Sequence, residues 1–306
     1  MARPALNRGF TYREVLGNHP PGTTVLDYLC TRYGHSSPAE WRERVESGFV
    51  FLAGRPVDTQ TPVVAGAVLE WKRPPWLEPG FPHAIHVLHE DAHLVAVDKP
   101  AGLPTLPGGG FLDHTLLALV RDRFPEASPM HRLGRWTSGV VLFARSELGR
   151  TGLSGAFRNR RVHKQYRALA GGAPSRDVWE IDTPIGPVPH GLLGTVHAAS
   201  PQGRVAASVV RVVERREEDF LADVVIHTGR PHQIRIHLAA SGHPLVGDPL
   251  YPVGGVPPPG TRAVPGDPGY LLHAAVVEVD HPAGGERIRI ESPYPPELCL
   301  ADSDPG

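Results

Sequence analysis

The sequence predicts an α+β fold: a central mixed, mostly antiparallel sheet flanked by helices, with a small unit of two helices and a hairpin ahead of it. Apolar runs of strand length alternate irregularly with helical patterns, several of them stand in hairpin-like pairs, and one proline-rich segment divides the chain. A doubly wound parallel sheet would need the regular strand–helix alternation that this chain lacks.

Residues 1–22 hold no apolar core that would serve as a signal peptide and read as an N-terminal extension. Residues 23–75 read as the small unit. Its first helix is short and amphipathic, carrying Val25, Leu26, Leu29 and Tyr33. The second opens at Ser37, with Pro38 in its first turn and Glu40 placed for a capping box, and stops at Gly48. FVFLAGRPV then turns at Ala53 and Gly54, and residues 68–71 supply a further strand. Two helices and a hairpin, with Arg42 and Arg44 on the second helix, resemble the small RNA-binding fold first seen in a ribosomal small-subunit protein; a helical cap on the larger domain is the other reading. KRPPWLEPGFPH, residues 72–83, suits neither helix nor strand and reads as a linker.

The larger domain is expected over residues 84–295. Strands are predicted at IHVL and HLVAV, a helix over DHTLLALVRDRF, a strand at GVVLFA, a helix over SELGRTGLSGAFRNRR and a strand at QYRALA. ASVVRVVERR and DFLADVVIH read as a hairpin, and YLLHAAVVEVD and ERIRIES as the closing strands. The tail, residues 296–306, is expected to be disordered.

With 41% hydrophobic and 21% charged residues, the composition is that of an ordinary globular protein. A net charge of -1 gives no global signature of nucleic-acid binding, yet a local basic cleft can focus the field whatever the total. Two cysteines at opposite ends, Cys30 and Cys299, build neither a disulfide framework nor a thiolate metal site. No stretch approaches the ~18 consecutive apolar residues of a membrane helix. The expectation is a soluble, cytoplasmic monomer with no metal.

Three segments place polar residues where a plain core would not. HRLGRWTSGVVLFAR, residues 131–145, sets His131, Arg132, Arg135, Thr137 and Ser138 around Gly134 and Gly139 ahead of an apolar strand. Its spacing matches neither a Walker loop nor a dinucleotide fingerprint, and TSG lacks the G-x-S-x-G pattern of a hydrolase nucleophile. FRNRRVHKQYRAL, residues 157–169, surrounds Tyr166 with basic side chains, which suits phosphates and a stacked base. A solvated helix end followed by a core tyrosine fits the same letters. In HTGRPHQIRIHLAASGHPLVGDPLY, residues 227–251, Pro231 and Gly242 bracket a helix over about 231–241. There His232 and Arg235 share one face while Ile234 and Leu238 pack inward. A guanidinium on a half-buried face needs a carboxylate or phosphate, which makes Arg235 a ligand-facing candidate. His232, His237 and His243 are spaced too widely to share a face and hold a metal.

LHEDAHLVAVDKPAGLPT with Lys99, Pro100 and Gly102, then HRLGRWTSG, KQYRAL and TGRPHQIRIHLAASGHPLVGDPLY, stand in order from about residue 85 to 251. Together they resemble the motifs of the RNA pseudouridine synthases of the RluA type, which modify large-subunit ribosomal RNA and transfer RNA. The resemblance implies the pseudouridine synthase fold and the isomerisation of uridine in structured RNA, either rRNA or tRNA, with no cofactor. The target uridine would be flipped into a pocket. The family's loop aspartate attacks the ribose or removes a sugar proton, its tyrosine stacks on the base and helps take up the carbon-five proton, and its arginine positions the aspartate. These roles map to position 134, Tyr166 and Arg235. By the same resemblance, His131, Arg132, Arg135 and Thr137 of the loop bind substrate, as do Lys164, Arg230, His232 and Gln233.

The chain departs from the pattern at one place, where the loop reads His131-Arg132-Leu133-Gly134. Glycine supplies neither nucleophile nor base. With the aspartate gone, Arg235 is expected to face the pocket as a free cation, unless Asp98, Asp91 or Asp248 takes the vacated role. The alternative function is an RNA-binding or RNA-folding protein that has lost the chemistry.

Overall fold

The computed structural model describes residues 3–301. The chain divides into two compact units, one formed by residues 4–79 with 192–194, the other by Gly80–Gly191 and the chain from Thr195 onward.

In the smaller unit, helices α1 (Val25–Arg32) and α2 (Pro38–Glu46) both begin with a capping box, Thr24 with Asp27 and Ser37 with Glu40. Each hydroxyl takes the backbone N–H three residues on, and each carboxylate takes the cap's own N–H, so two orphan donors per helix are satisfied. The apolar faces of both helices, with Leu29 and Trp41 at their centre, pack on Val50, Leu52 and Leu69 of a four-stranded sheet. That sheet runs in the order Phe10–Val15, Val68–Arg73, Val50–Leu52, Arg55–Pro56. Phe10–Val15 lies in the stretch read from the sequence as an extension. It is an edge strand with no buried residue, so no alternation announces it. Within the expected linker, Leu77–Glu78 pairs with Ala5–Leu6.

The larger unit is built on β1 (His86–Glu90), β2 (Leu94–Lys99), β3 (Ser138–Ala144), β4 (His163–Gly171), β5 (Val178–Ile181), β6 (Ser208–Arg215), β7 (Asp219–Ile226), β8 (Leu272–Asp280) and β9 (Arg287–Glu291). Their spatial order is β5-β6-β7-β4-β8-β3-β2-β1, with β9 also on β8. Among the described residues every one of these pairings is antiparallel except β3 with β8, which run parallel. This is the mixed, mostly antiparallel α+β sheet expected.

Successive side chains of a strand point to opposite faces, and both faces of β2 and β3 are buried. Val95, Val97, Val141 and Phe143 enter the core that holds Leu116 and Val120 of α3 (Leu116–Arg123). Leu94, Ala96, Val140 and Leu142 enter the core that holds Leu153 and Ala156 of α4 (Glu147–Arg158). That is why LVAV and VVLF are unbroken apolar runs rather than alternating ones. Gly139 sits between β3 and β8 at φ +106°, where an added Cβ would lie 2.2 Å from the Ala274 carbonyl oxygen. Only glycine lets these two strands come together. Part of the expected disordered tail is ordered: Pro296–Leu298 form a 3-10 turn that buries Leu298 against Leu169 and Leu221. Residues 302–306 lie outside the described residues.

Candidate active site

The candidate site lies in the larger unit, where β3, β4 and β8 begin and β7 ends. Tyr166 comes from β4, between Val224 of β7 and Ala274 of β8. The β4–β8 register shifts between Gln165 and Tyr166, an irregularity of the kind that re-aims a side chain. Burial pushes the Tyr166 phenol up to about 12, so it carries its proton at neutral pH.

The loop over residues 131–137 is fastened from several sides. Lys99 Nζ donates to the carbonyls of Pro100, Leu103 and Arg135 at 2.9, 2.7 and 3.0 Å. Thr105 Oγ1 donates to Leu133 O at 3.0 Å and accepts the Leu133 N–H at 3.2 Å. Gly102 N–H donates to Arg135 O, and Trp136 Nε1 donates to Gly266 O, both at 2.9 Å. The Lys-Pro-x-Gly stretch therefore acts by bracing this loop. Gly134, at the loop's centre, has a backbone that admits a side chain. A Cβ there would lie 3.1 Å from the Tyr270 hydroxyl and 3.4 Å from Thr137 Oγ1.

The third segment forms helix α5 (Gln233–Ala240), as its Pro and Gly brackets indicate. His232 stands at its N-cap in the left-handed region, φ 55°, without a capping side-chain bond. Strain of this kind concentrates at functional sites. Tyr251 donates its hydroxyl proton to His197 O at 2.8 Å, so at 2.7 Å His232 Nδ1 must be the donor to the Tyr251 oxygen. Burial, then the Arg235 charge, brings His232 down to about 3. The ring is neutral, with Nε2 as its acceptor.

Arg235 is not the free cation expected once the loop aspartate is missing. Its Nε donates to Asp248 Oδ2 at 2.6 Å and its Nη2 to Asp248 Oδ1 at 2.8 Å, while Nη1 donates to Pro265 O at 2.9 Å. Burial works against the guanidinium's charge, but the Asp248 bonds outweigh it and hold the pKa above its ordinary value. The Asp248 side chain is fully buried, and its Oδ1 also accepts the N–H groups of Leu250 and Tyr251 at 2.9 and 3.2 Å. With its oxygens so committed, Asp248 is an anchor for Arg235. The guanidinium lies over the Tyr270 ring at 4.1 Å and near the Tyr251 ring at 4.9 Å.

Gly134, Thr137, Tyr166, Arg235 and Tyr270 line a pocket of about 100 Å³. A cleft of about 510 Å³ shares Arg132, Tyr166, Ile226 and Arg230 with it and adds Arg158, Arg160 and Lys164. The cleft is basic although the chain is nearly neutral, and burial brings the Lys164 amine below its ordinary pKa.

Of the residues implied to bind substrate, Arg132, Thr137, Lys164, Arg230, His232 and Gln233 line the pocket or the cleft. His131 borders the cleft, but its Nε2 accepts the Leu142 N–H at 3.0 Å, which ties the loop to β3; burial brings it down to about 3. Gln233 is buried in a network with Thr228, Ala207 and Ser208. Arg135 turns away from the pocket, with Nε on Gly102 O at 3.0 Å and the guanidinium over the Phe111 ring at 4.6 Å. Loop sequence alone does not say on which side each residue falls. In the sequence Asp248 is one of several carboxylates with nothing to pair it with Arg235, and Tyr270 stands at the head of a stretch that reads as a strand.

Residues 93–240 match the family model described as RNA pseudouridylate synthase. The chain is 44% identical over 280 residues to an RNA pseudouridine synthase of Synechocystis, itself uncharacterized, covering 91% of this chain and 96% of that one. It is 37% identical to RNA pseudouridine synthase 5 of Arabidopsis thaliana, covering 96% and 95%. To the ribosomal large subunit pseudouridine synthase D of Pseudomonas aeruginosa it is 36% identical, covering 70% and 69%. Among solved structures, human RNA pseudouridylate synthase domain containing 1 aligns with a TM-score of 0.55 at 26% identity, covering 72% of this chain and 89% of that one. Motifs, fold and relatives agree, and the chain belongs to the RNA pseudouridine synthase family of the RluA type.

Proposed function

We propose that this protein isomerises uridine to pseudouridine in structured rRNA or tRNA, acting as a cytoplasmic monomer without a cofactor. The observation that carries this is the placement of Tyr166. It stands where a basic cleft fit for a backbone meets a small pocket fit for one flipped base. In this reading Arg132, Arg158, Arg160 and Arg230 take phosphates, while the protonated Tyr166 stacks on the base. Arg235, held by Asp248, presents its remaining N–H groups to the base or the sugar. Neutral His232 offers Nε2 as an acceptor for a ribose hydroxyl. Arg42, exposed on α2, gives the smaller unit a cation for RNA as well.

RNA carrying tritium at carbon five of uridine, taken from cells lacking this gene, tests the reading. The natural protein should release tritium to water, and Tyr166→Phe should be slower by about 10²–10⁴-fold with RNA binding retained. No release from such RNA, together with no new pseudouridine, overturns it.

A further inference from the structure

Position 134 lacks the family's carboxylate, yet the space around it is not open. The nearest atom to a Cβ placed there is the Tyr270 hydroxyl, at 3.1 Å, little more than the span from an aspartate's Cβ to its own oxygens. Tyr270 precedes β8, its ring lies under the Arg235 guanidinium at 4.1 Å, and its oxygen is 3.5 Å from Thr137 Oγ1. It lines the same pocket as Tyr166 and Arg235. The charged groups about it are Arg235, with Asp248 bonded to it, and Arg132 and Arg230, which line the same pocket. No carboxylate lines this pocket among the described residues.

We propose that Tyr270 is the catalytic residue that takes the place of the missing loop aspartate, its hydroxyl being the group that engages the ribose. This rests on the pseudouridine synthase activity proposed above. The Tyr270 oxygen forms a bond to C1′ as the C1′–N1 bond breaks. The electron pair of that bond goes to the uracil, and the phenolic proton passes to uracil O2. The freed base turns, and an electron pair at C5 forms the C5–C1′ bond as the Tyr270 O–C1′ bond breaks and its pair returns to the phenolate. The proton lost from C5 restores the phenol, and the proton on O2 moves to N1. No oxidant, reductant or co-reactant is needed. The guanidinium over the ring stabilises the negative charge that the oxygen regains as its bond to C1′ breaks, until the proton from C5 returns to it.

The test compares single-turnover tritium release by the natural protein and by Tyr270→Phe, with RNA affinity measured alongside. Phenylalanine keeps the ring beneath Arg235 and removes only the hydroxyl. The expected result is a rate lower by about 10³-fold or more with the RNA dissociation constant within about threefold. Gly134→Asp in the Tyr270→Phe background should then restore release, since losing the hydroxyl frees the space the new carboxylate needs. Should Tyr270→Phe fail to fold, 3-fluorotyrosine at position 270 keeps ring and hydroxyl with a lower phenol pKa. The less nucleophilic oxygen should slow single-turnover release by about threefold or more, with the RNA dissociation constant unchanged. Tyr270→Phe within tenfold of the natural protein, or an unchanged release rate with 3-fluorotyrosine, overturns the assignment while leaving the synthase reading intact. A natural protein that releases no tritium overturns both.

Discussion

Replacing Asp248 with asparagine isolates the buried ion pair under the site. Asp248 accepts two bonds from Arg235 and two from the backbone N–H groups of Leu250 and Tyr251, and both side chains are almost wholly removed from water. Asparagine keeps one carbonyl oxygen, enough for the two backbone N–H groups and one guanidinium N–H. It loses the bond to Arg235 Nε, sets an amide N–H₂ against that donor, and leaves the guanidinium charge uncompensated. Breaking one side of a buried pair costs about 3–5 kcal/mol, and the retained bonds place this change near ~3 kcal/mol. For a unit of this size that corresponds to a fall in melting temperature of roughly 6–12 °C. Calorimetry on the full chain reads it. Asp177→Asn serves as the control: it removes the partner of Arg215 at 2.7 Å, but both side chains are exposed, so it should change stability by less than ~1 kcal/mol. An Asp248→Asn protein within ~1 kcal/mol of the natural one would refute the idea that this pair anchors the site.

Lys99 and the cleft yield two further tests. Burial brings the Lys99 amine down to about 7 from an ordinary 10.5. Between those values the unfolded chain binds more protons than the folded one, so stability should rise with pH through that window, while below about 7 both states are protonated and the burial penalty is complete. Unfolding of the natural protein and Lys99→Met, followed from pH 7 to 9, should show a rising slope only in the former, and equal slopes would contradict it. In the cleft, Arg160→Gln should weaken RNA binding and reduce the slope of log affinity against log salt by about 0.7, the share of one single-strand phosphate. An unchanged slope would mean that Arg160 does not reach the backbone.

Much of this was legible because the signals are local. LVAV and VVLF announced buried strands, and Pro231 and Gly242 bracketed α5, although the helix starts at Gln233 and His232 caps it in the left-handed region rather than sharing a helical face with Arg235. The order of the motifs carried the family. What stayed hidden depends on closure in three dimensions. Asp248 lies thirteen residues from Arg235, across a turn whose path no periodicity records. Tyr270 sits far from Gly134 along the chain, and nothing in either segment points to the other. Arg135 and Thr137 are two residues apart in one loop, yet one faces Gly102 and the other the pocket. Phe10–Val15 leaves no sign in the sequence, because an edge strand that buries nothing has no apolar rhythm.

The parallel pairing of β3 with β8 has a consequence for how such a site changes. Because the two strands run the same way, with Ser138 opposite His273, the segments that lead into them arrive side by side at one end of the sheet. A reactive group mounted on either lead-in reaches the same pocket from a different address in the chain. The architecture thus separates where a functional atom sits from which segment encodes it. One lead-in can surrender its side chain, as at Gly134, while the other supplies an oxygen there, as at Tyr270, and the strands beneath keep their register.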